Sequence, residues 1–352
     1  MNNDITQQLQ QRIIAAISNH ESLQIQGSGS KQFLGNHFPA HVLDTKEHKG
    51  IISYDPVELV VRARAGTTLR ELEATLAESG QMLPFEPPHF GSDATIGGTI
   101  ACGLAGPSRP YQGSARDYVL GVTIINGRGE VLHFGGQVMK NVAGYDCSRL
   151  MAGAMGTLGI ILDVSMKVLP KPAAELTLIQ ICDEEEAIKR MAQWSAKPLQ
   201  LSAACYTGNK LYFRLSGAKT AVDSACETIG GDQFDGTQFW ESIKEQQHDF
   251  FQTEKPLWRL SIPAETMPLK IKGRYLLDWA GAQRWLISEE SPERIRLAAQ
   301  KAGGHATLFR RGSLDAEIFQ RPEPGVMSLH RQLKHAFDPI GIFNPGRLYP
   351  GL

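Results

Sequence analysis

The sequence predicts an α+β protein of two domains, and three observations carry that prediction. The chain has 352 residues, more than one hydrophobic core usually supports. Positions 91–159 hold a dense share of its 35 glycines and 169–201 hold none, with the tripeptide PKP at 170–172 marking the break. Past that break, strand-like and helix-like segments alternate, as they do where helices layer on an antiparallel sheet.

The elements follow in order. In MNNDITQQLQQRIIAAISNH, Leu9, Ile13, Ile14 and Ile17 fall on one face of an amphipathic helix. The segment lacks a basic start and a continuous apolar run, so it does not read as a signal peptide. LQIQGSGSKQFLG is a strand entering a glycine loop. ISYDPVELVVRARAGTTLRELEATLAESG reads as a strand pair and a helix, with Thr68 and Glu71 as a capping box and Gly80 as the stop. YVLGVTIINGRGEVLHFGG is a hairpin pattern around NGRG, and GTLGIILDVSMKVLP is a strand in buried surroundings. Beyond the break, LTLIQICDEEEAIKRMAQWSA and LYFRLSGAKTAVDSACETIGG are each a strand then a helix. YLLDWAGAQRWLIS is a second hairpin, and SPERIRLAAQKAGGHATLFR a helix, a Gly-Gly stop and a strand. A helix and a Pro/Gly-rich tail close the chain.

Composition excludes several functions. With 36 Lys+Arg against 37 Asp+Glu, the net charge of -1 makes no electrostatic case for nucleic acid or an anionic membrane. Cys102, Cys147, Cys182, Cys205 and Cys226 are scattered, without CxxC, zinc-ribbon or iron–sulfur spacing. They read as reduced thiols of a cytoplasmic protein. No run of 18 apolar residues suggests a membrane span, so any membrane association is expected to be made through partners.

The glycine motifs fail the common nucleotide signatures. GxGxxG would need glycine where Gln32 stands, and a P-loop would need it at Ser30, before Lys31. No GxSxG nucleophile elbow occurs in the region. What remains is bare backbone. QGSGSK offers successive N–H groups, two hydroxyls and an ammonium, the makings of an anion nest; a tight turn would explain it equally. ATIGGTIA, within a stretch of small residues lacking a helical stripe, reads as a second such loop. Gly97-Gly98 as a mere close approach of backbones is its plainer explanation.

Taken in order, QGSGSK, LPFEPP, ATIGGTIACGLAGPSRPYQGSARDYVLGV, GYDCSRLMAGAMGTLGIILDVSMKVLP and FDPIGIFNPGRLYP resemble the vanillyl-alcohol-oxidase, or PCMH-type, FAD-binding family. Within it the chain is most similar to the E subunits of bacterial glycolate oxidases, on KNVAGYDCSRLMAGAMGTLG and LLDWAGAQRWL. The resemblance implies a PCMH-type FAD-binding domain of two α/β subdomains at 1–170. A smaller α+β cap-like domain on an antiparallel sheet would follow at 171–328, and a tail at 329–352 would return to the FAD domain. Gln26, Gly27, Ser28, Gly29, Ser30 and Lys31 would form the first pyrophosphate loop, and Thr95, Ile96, Gly97, Gly98 and Thr99 the second. Gly106, Gly113 and Ser114 would lie near the isoalloxazine, with Asp117 fixing the loop. Gly159, Ile160 and Ile161 would line the adenosine side, and Asn344 and Arg347 would return with the tail. There Arg347 would stabilise charge on the reduced ring or merely cap a carbonyl.

Serines stand where some members carry a flavin-linking histidine, and Cys102 reads as a packing residue, so the FAD is expected to be noncovalent. The HxGDGNxH metal motif of catalytic relatives has no counterpart. His305 stands alone at a strand entry, so no metal is expected. Arg259, Arg310, Arg311 and Arg321 are candidates for a carboxylate clamp or for solvated strand faces. Trp240, Trp258, Trp279 and Trp285 would fill a core or a subunit contact. The resemblance thus implies a flavin-dependent oxidoreductase subunit acting on CH–OH groups, with glycolate or another short 2-hydroxy acid as substrate. Its partners would be a larger FAD-binding catalytic subunit and an iron–sulfur subunit. A self-sufficient flavin dehydrogenase and a scaffold subunit with a decayed FAD site remain alternatives.

Overall fold

The computed structural model describes residues 2–136 and 146–352. The chain divides into two compact units. The first comprises 1–104, 114–170 and 321–352; the second comprises 105–113 and 171–320. The short segment 105–113 therefore packs with the second unit, although it lies within the glycine-rich third of the sequence. The second unit ends at Gln320 rather than at 328.

In the first unit, strands β1 (Leu23–Gln26) and β2 (His41–Asp44) form a parallel pair. The strands β3 (Ile51–Asp55), β4 (Val60–Arg64), β5 (Gln81–Met82), β6 (Val119–Ile125), β7 (Val131–Gly135), β8 (Ile160–Lys167) and β9 (Leu169–Pro170) follow. Among the described residues, β3-β4-β8-β6-β7 form one antiparallel sheet, and β5 pairs with β9. The expected hairpin is β6–β7, with the Asn126 side chain accepting the N–H groups of Arg128 and Glu130 across its turn. The opening helix Thr6–Asn19 buries Leu9, Ile13 and Ala16 against Leu23, Ile125, Ile160 and Phe343. Ile14 is instead 50% exposed. At 3.6 residues per turn it lies about 140° around the helix from Leu9, off the stripe the sequence suggested.

Two further local expectations need correction. Helix Leu69–Glu78 is capped by Thr68, whose hydroxyl accepts the Glu71 N–H at 3.1 Å, but the Glu71 side chain returns no bond. The cap is therefore one-sided. Residues 96–102, read as a loop, form the helix Ile96–Cys102, with Thr95 as its N-cap accepting from Gly98. Two glycines weaken a helix, but a cap and tertiary packing carry this short one: a Cβ at Gly97 would lie 2.6 Å from Cβ of Ala65, so only glycine admits that approach.

The second unit is built on an antiparallel sheet of eight strands. They are β10 (Ala174–Ile181), β11 (Leu201–Thr207), β12 (Lys210–Gly217), β13 (Asp232–Phe234), β14 (Leu257–Ser261), β15 (Arg274–Asp278), β16 (Gln283–Ile287) and β17 (His305–Arg310), in the order β13-β10-β12-β11-β15-β16-β14-β17. Helices Glu184–Ser195 and Lys219–Ile229 pack Ile188, Met191 and Val222 onto Leu178, Phe213 and Leu215. Helix Pro292–Lys301 packs Ile295 and Ala299 onto Trp258, Leu260 and Leu308. Among the described residues, no helix is long and apolar enough to cross a membrane.

Candidate functional site

The first unit contains a cleft beside the loop that follows β1. Its walls come from six separated segments, one of them the turn after β4 with Ala65. The loop after β1 supplies Gln26, Gly27, Ser28, Gly29, Ser30 and Lys31. The Ile96–Cys102 helix and its cap supply Thr95, Gly97, Gly98, Ala101 and Cys102. Met155, Gly156, Gly159 and Ile161 come from the approach to β8, Thr45 from the end of β2, and Asn344 and Arg347 from the tail.

Helix and strand periodicity explain which neighbours are excluded. In the helix, Ile96, Thr99 and Ile100 turn into the core, fully buried, while Gly97, Gly98, Ala101 and Cys102 present the opposite side to the cleft. At β8 the alternation of side chains leaves Gly159 and Ile161 on the cleft and sends Ile160 into the core. Of the expected second-loop and adenosine residues, Ile96, Thr99 and Ile160 thus turn their side chains away from the cleft. Gly106 and Gly113 belong to the second unit, where the Gly106 carbonyl accepts the Trp279 indole N–H at 2.9 Å. Ser114 and Asp117 do not line the cleft. The Asp117 carboxylate accepts the Ser114 N–H at 2.8 Å and its hydroxyl at 2.7 Å, tying down the start of the short helix Ala115–Tyr118. Burial alone would raise the Asp117 carboxyl, but those bonds hold it below its ordinary value.

The two glycine segments meet directly. A Cβ at Gly27 would stand 2.4 Å from the Thr95 hydroxyl oxygen, so the loop after β1 lies against the helix cap because it has no side chain there. The N–H groups of Gly27, Ser28 and Gly29 donate to no group among the described residues. Half-buried donors of this kind require a partner, be it water or a ligand. No aspartate or glutamate lines the cleft, whereas Lys31 and Arg347 do. Open N–H groups, hydroxyls, two cations and no carboxylate fit a diphosphate.

The tail completes the cleft through a buried network. Lys334 donates to the Asp338 carboxylate at 2.7 Å and to the carbonyls of Thr157 (2.8 Å) and Phe343 (2.7 Å). Burial pushes the Lys334 ammonium down, and Asp338 pulls it back up. Asp338 also accepts the N–H groups of Gly341, Ile342 and Phe343. Asn344 then bridges the Ile25 N–H (2.8 Å) and the Met155 carbonyl (2.6 Å). The guanidinium of Arg347, buried, donates to the carbonyls of Gln32, Leu34 and Asn36. Arg347 therefore does cap carbonyls, but on the cleft wall and not at the surface. Burial pushes the thiol of Cys102, on the cleft wall, up against the pull of Lys31 and Arg347, which keeps it neutral.

The remaining candidates lie in the second unit or near its end. Arg310 holds the Phe251 carbonyl and the Gln246 side chain, and Arg311 the Ala316 carbonyl; Arg321 is exposed and also has a partner. Trp240, Trp258 and Trp285 are buried, and Trp279 is half-buried. Sequence reasoning missed Thr45, Met155 and Gly156. The latter two sit inside GAMGTLG, where the density of small residues was the available signal; Thr45 had none, because its position follows from the parallel pairing of β2 with β1. The Lys140–Tyr145 part of the motif KNVAGYDCSRLMAGAMGTLG lies outside the described residues.

Comparison with known proteins agrees with this geometry. A family model described as an FAD binding domain matches residues 5–135. Glycolate oxidase subunit GlcE of Escherichia coli (strain K12) is 48% identical over 349 residues, 99% of this chain and 99% of its own. A D-lactate dehydrogenase of Anaerostipes hadrus is 36% identical over 135 residues, covering 38% of this chain and 28% of that protein. Among solved structures, an alkyldihydroxyacetonephosphate synthase superposes with a TM-score of 0.67 over 96% of this chain and 74% of its own. At 16% identity that likeness is one of fold. The chain belongs to the glycolate oxidase subunit GlcE family of FAD-binding oxidoreductases.

Proposed function

We propose that this chain is the FAD-holding subunit of a complex that oxidises glycolate, or another short 2-hydroxy acid, to the 2-oxo acid. The observation that carries the reading is the cleft of the first unit, lined by cations and no carboxylate and by Gly27, Ser28 and Gly29, whose N–H groups donate to no group among the described residues. Gln26 to Lys31 and the capped helix start at Thr95, Gly97 and Gly98 would hold the diphosphate. Gly159 and Ile161 would line the adenosine side, and Asn344 and Arg347 would close the cleft from the tail. The neutral Cys102 thiol and the serines of the first loop leave the cofactor noncovalent. Bound FAD supplies a two-electron acceptor that can return its electrons singly.

The chain's own cysteines are dispersed and free, so the reading assigns the one-electron carrier to an iron–sulfur partner and a further flavin to a larger subunit. Any membrane contact of the complex is assigned to those partners. The test is the visible absorption spectrum of the purified full-length chain, after incubation with FAD, before and after glycolate. Flavin bands released by denaturation without covalent attachment are the expected result. Bands that persist in glycolate place oxidation in the assembled complex, and bands that bleach place it on this chain. A chain that takes up no FAD, alone or with its partners, overturns the reading.

A further inference from the structure

One face of the second unit's sheet carries charge that its fold does not use. Directly opposed residues of antiparallel strands share a face, as do residues two apart along a strand. Trp258, Leu260, Leu286, Ala306 and Leu308 take one face of β14, β16 and β17 and pack beneath helix Pro292–Lys301. The other face carries Gln283, Ser261 and His305 in one row, and Trp285, Arg259 and Thr307 in the next.

Arg259 is half-buried in that second row. Its guanidinium carbon lies 5.7 Å from the centre of the Phe309 ring, and Trp285 packs edge-on against the same ring at 4.8 Å. Among the described residues the guanidinium meets no carboxylate and no hydrogen-bond acceptor, and the His305 ring has no hydrogen-bond partner. A second guanidinium, that of Arg109, stacks over the Trp279 ring at 4.4 Å. Burial first, and then the charge of Arg109, push Arg259 down to about 10; burial and Arg259 together push His305 down, so its ring is neutral at pH 7. Asp278, on the same face, is engaged by the Trp279 N–H and the Gln283 amide. It stands two strands away from Arg259, on the order of 10 Å. A half-buried guanidinium beside an apolar wall, with no anion on it, costs free energy that a bound anion would return.

We propose that Arg259 and His305 form a subsite on this chain for the carboxylate of a short 2-hydroxy acid. The proposal rests on the glycolate-oxidising function proposed above, and it adds that substrate is recognised by this chain as well as by its partners. A guanidinium fork matches the two oxygens of a carboxylate. The neutral imidazole adds one donor, and Ser261 and Thr307 put hydroxyls on the same face for a 2-hydroxyl group.

The test is calorimetric titration of the FAD-loaded full-length chain with glycolate, acetate and inorganic phosphate, on the wild type and on Arg259→Met and Arg259→Lys. Saturable glycolate binding is expected, at least 10-fold weaker in Arg259→Met and intermediate in Arg259→Lys. Flavin absorption and FAD affinity should be the same in all three. His305→Ala, at the exposed start of β17, is a second probe if Arg259→Met fails to fold, and should weaken glycolate about 3-fold. Absence of saturable glycolate binding, equal affinity in the variants, or phosphate bound as tightly as glycolate would overturn the subsite while flavin retention leaves the FAD reading intact. A chain without FAD overturns that reading instead, and the same titration on the apo chain still decides the subsite.

Discussion

In the first unit the cleft is walled by main chain: three open N–H groups after β1, a glycine-bearing helix start and a tail whose side chains hold carbonyls rather than reach into space. In the second unit the charged face is built from side chains, with Arg259 and His305 beside the rings of Trp285 and Phe309. The first kind of surface resists added atoms where, as at Gly27 and Gly97, a Cβ would meet a neighbour directly. The second tolerates truncation and loses only the group removed. The two regions should therefore fail differently when mutated.

The largest expected effect on FAD affinity is at Gly27. In Gly27→Val the new Cβ must displace Thr95, which is buried and caps the Gly98 N–H. Overpacking of this kind costs about 1–3 kcal/mol, and FAD affinity should fall about 100-fold, measured by flavin titration. If Gly27→Val binds FAD like the wild type, the first cleft is not a main-chain site and the contrast breaks. The Lys334–Asp338 pair tests the contrast from the other side, as the place where the first unit does depend on side chains. Lys334→Met strands the Asp338 carboxylate in the interior, a change worth about 3–5 kcal/mol and roughly 10 °C in melting temperature. Asn344→Ala, which frees the buried Ile25 N–H and Met155 carbonyl, should cost about 1–3 kcal/mol and loosen FAD in proportion. Fluorescence melting with and without FAD separates the two effects.

The same contrast decides what could be read from the sequence. Main-chain sites announce themselves by residue type: QGSGSK and the Gly-Gly pair were visible as bare backbone, and their order with FDPIGIFNPGRLYP pointed to the family. What could not be read was phase. That residues 96–102 are helical, and so send Ile96 and Thr99 inward while Gly98 and Cys102 face out, depends on Thr95 capping and on Ala65 lying against Gly97, both tertiary facts. The side-chain phase of Ile160 was hidden for the same reason, since GII does not say which of its isoleucines faces the core. The second unit is the harder case. Arg259 and His305 are 46 positions apart in sequence, and only the β14–β17 register puts them on one face. The segment 105–113 is harder still, for nothing in its composition shows that Arg109 packs on Trp279.

Asp117 offers the smallest and most diagnostic effect. It lies among the residues first assigned to the cofactor, yet its carboxylate is spent on Ser114. Its folded-state value is held below the ordinary carboxylate range, so its contribution is present above that range and is lost as pH falls through the folded value. Asp117→Asn should therefore melt slightly below the wild type at neutral pH, and the two should converge in acid. Because the side chain is exposed, the difference should stay within about 1–2 °C, with FAD affinity unchanged across the same pH range. A loss of FAD affinity in Asp117→Asn that follows the melting difference with pH would mean the opposite: the Ser114–Asp117 turn would belong to the cofactor site, and the boundary between a main-chain cleft and its side-chain supports would have to be redrawn to include it.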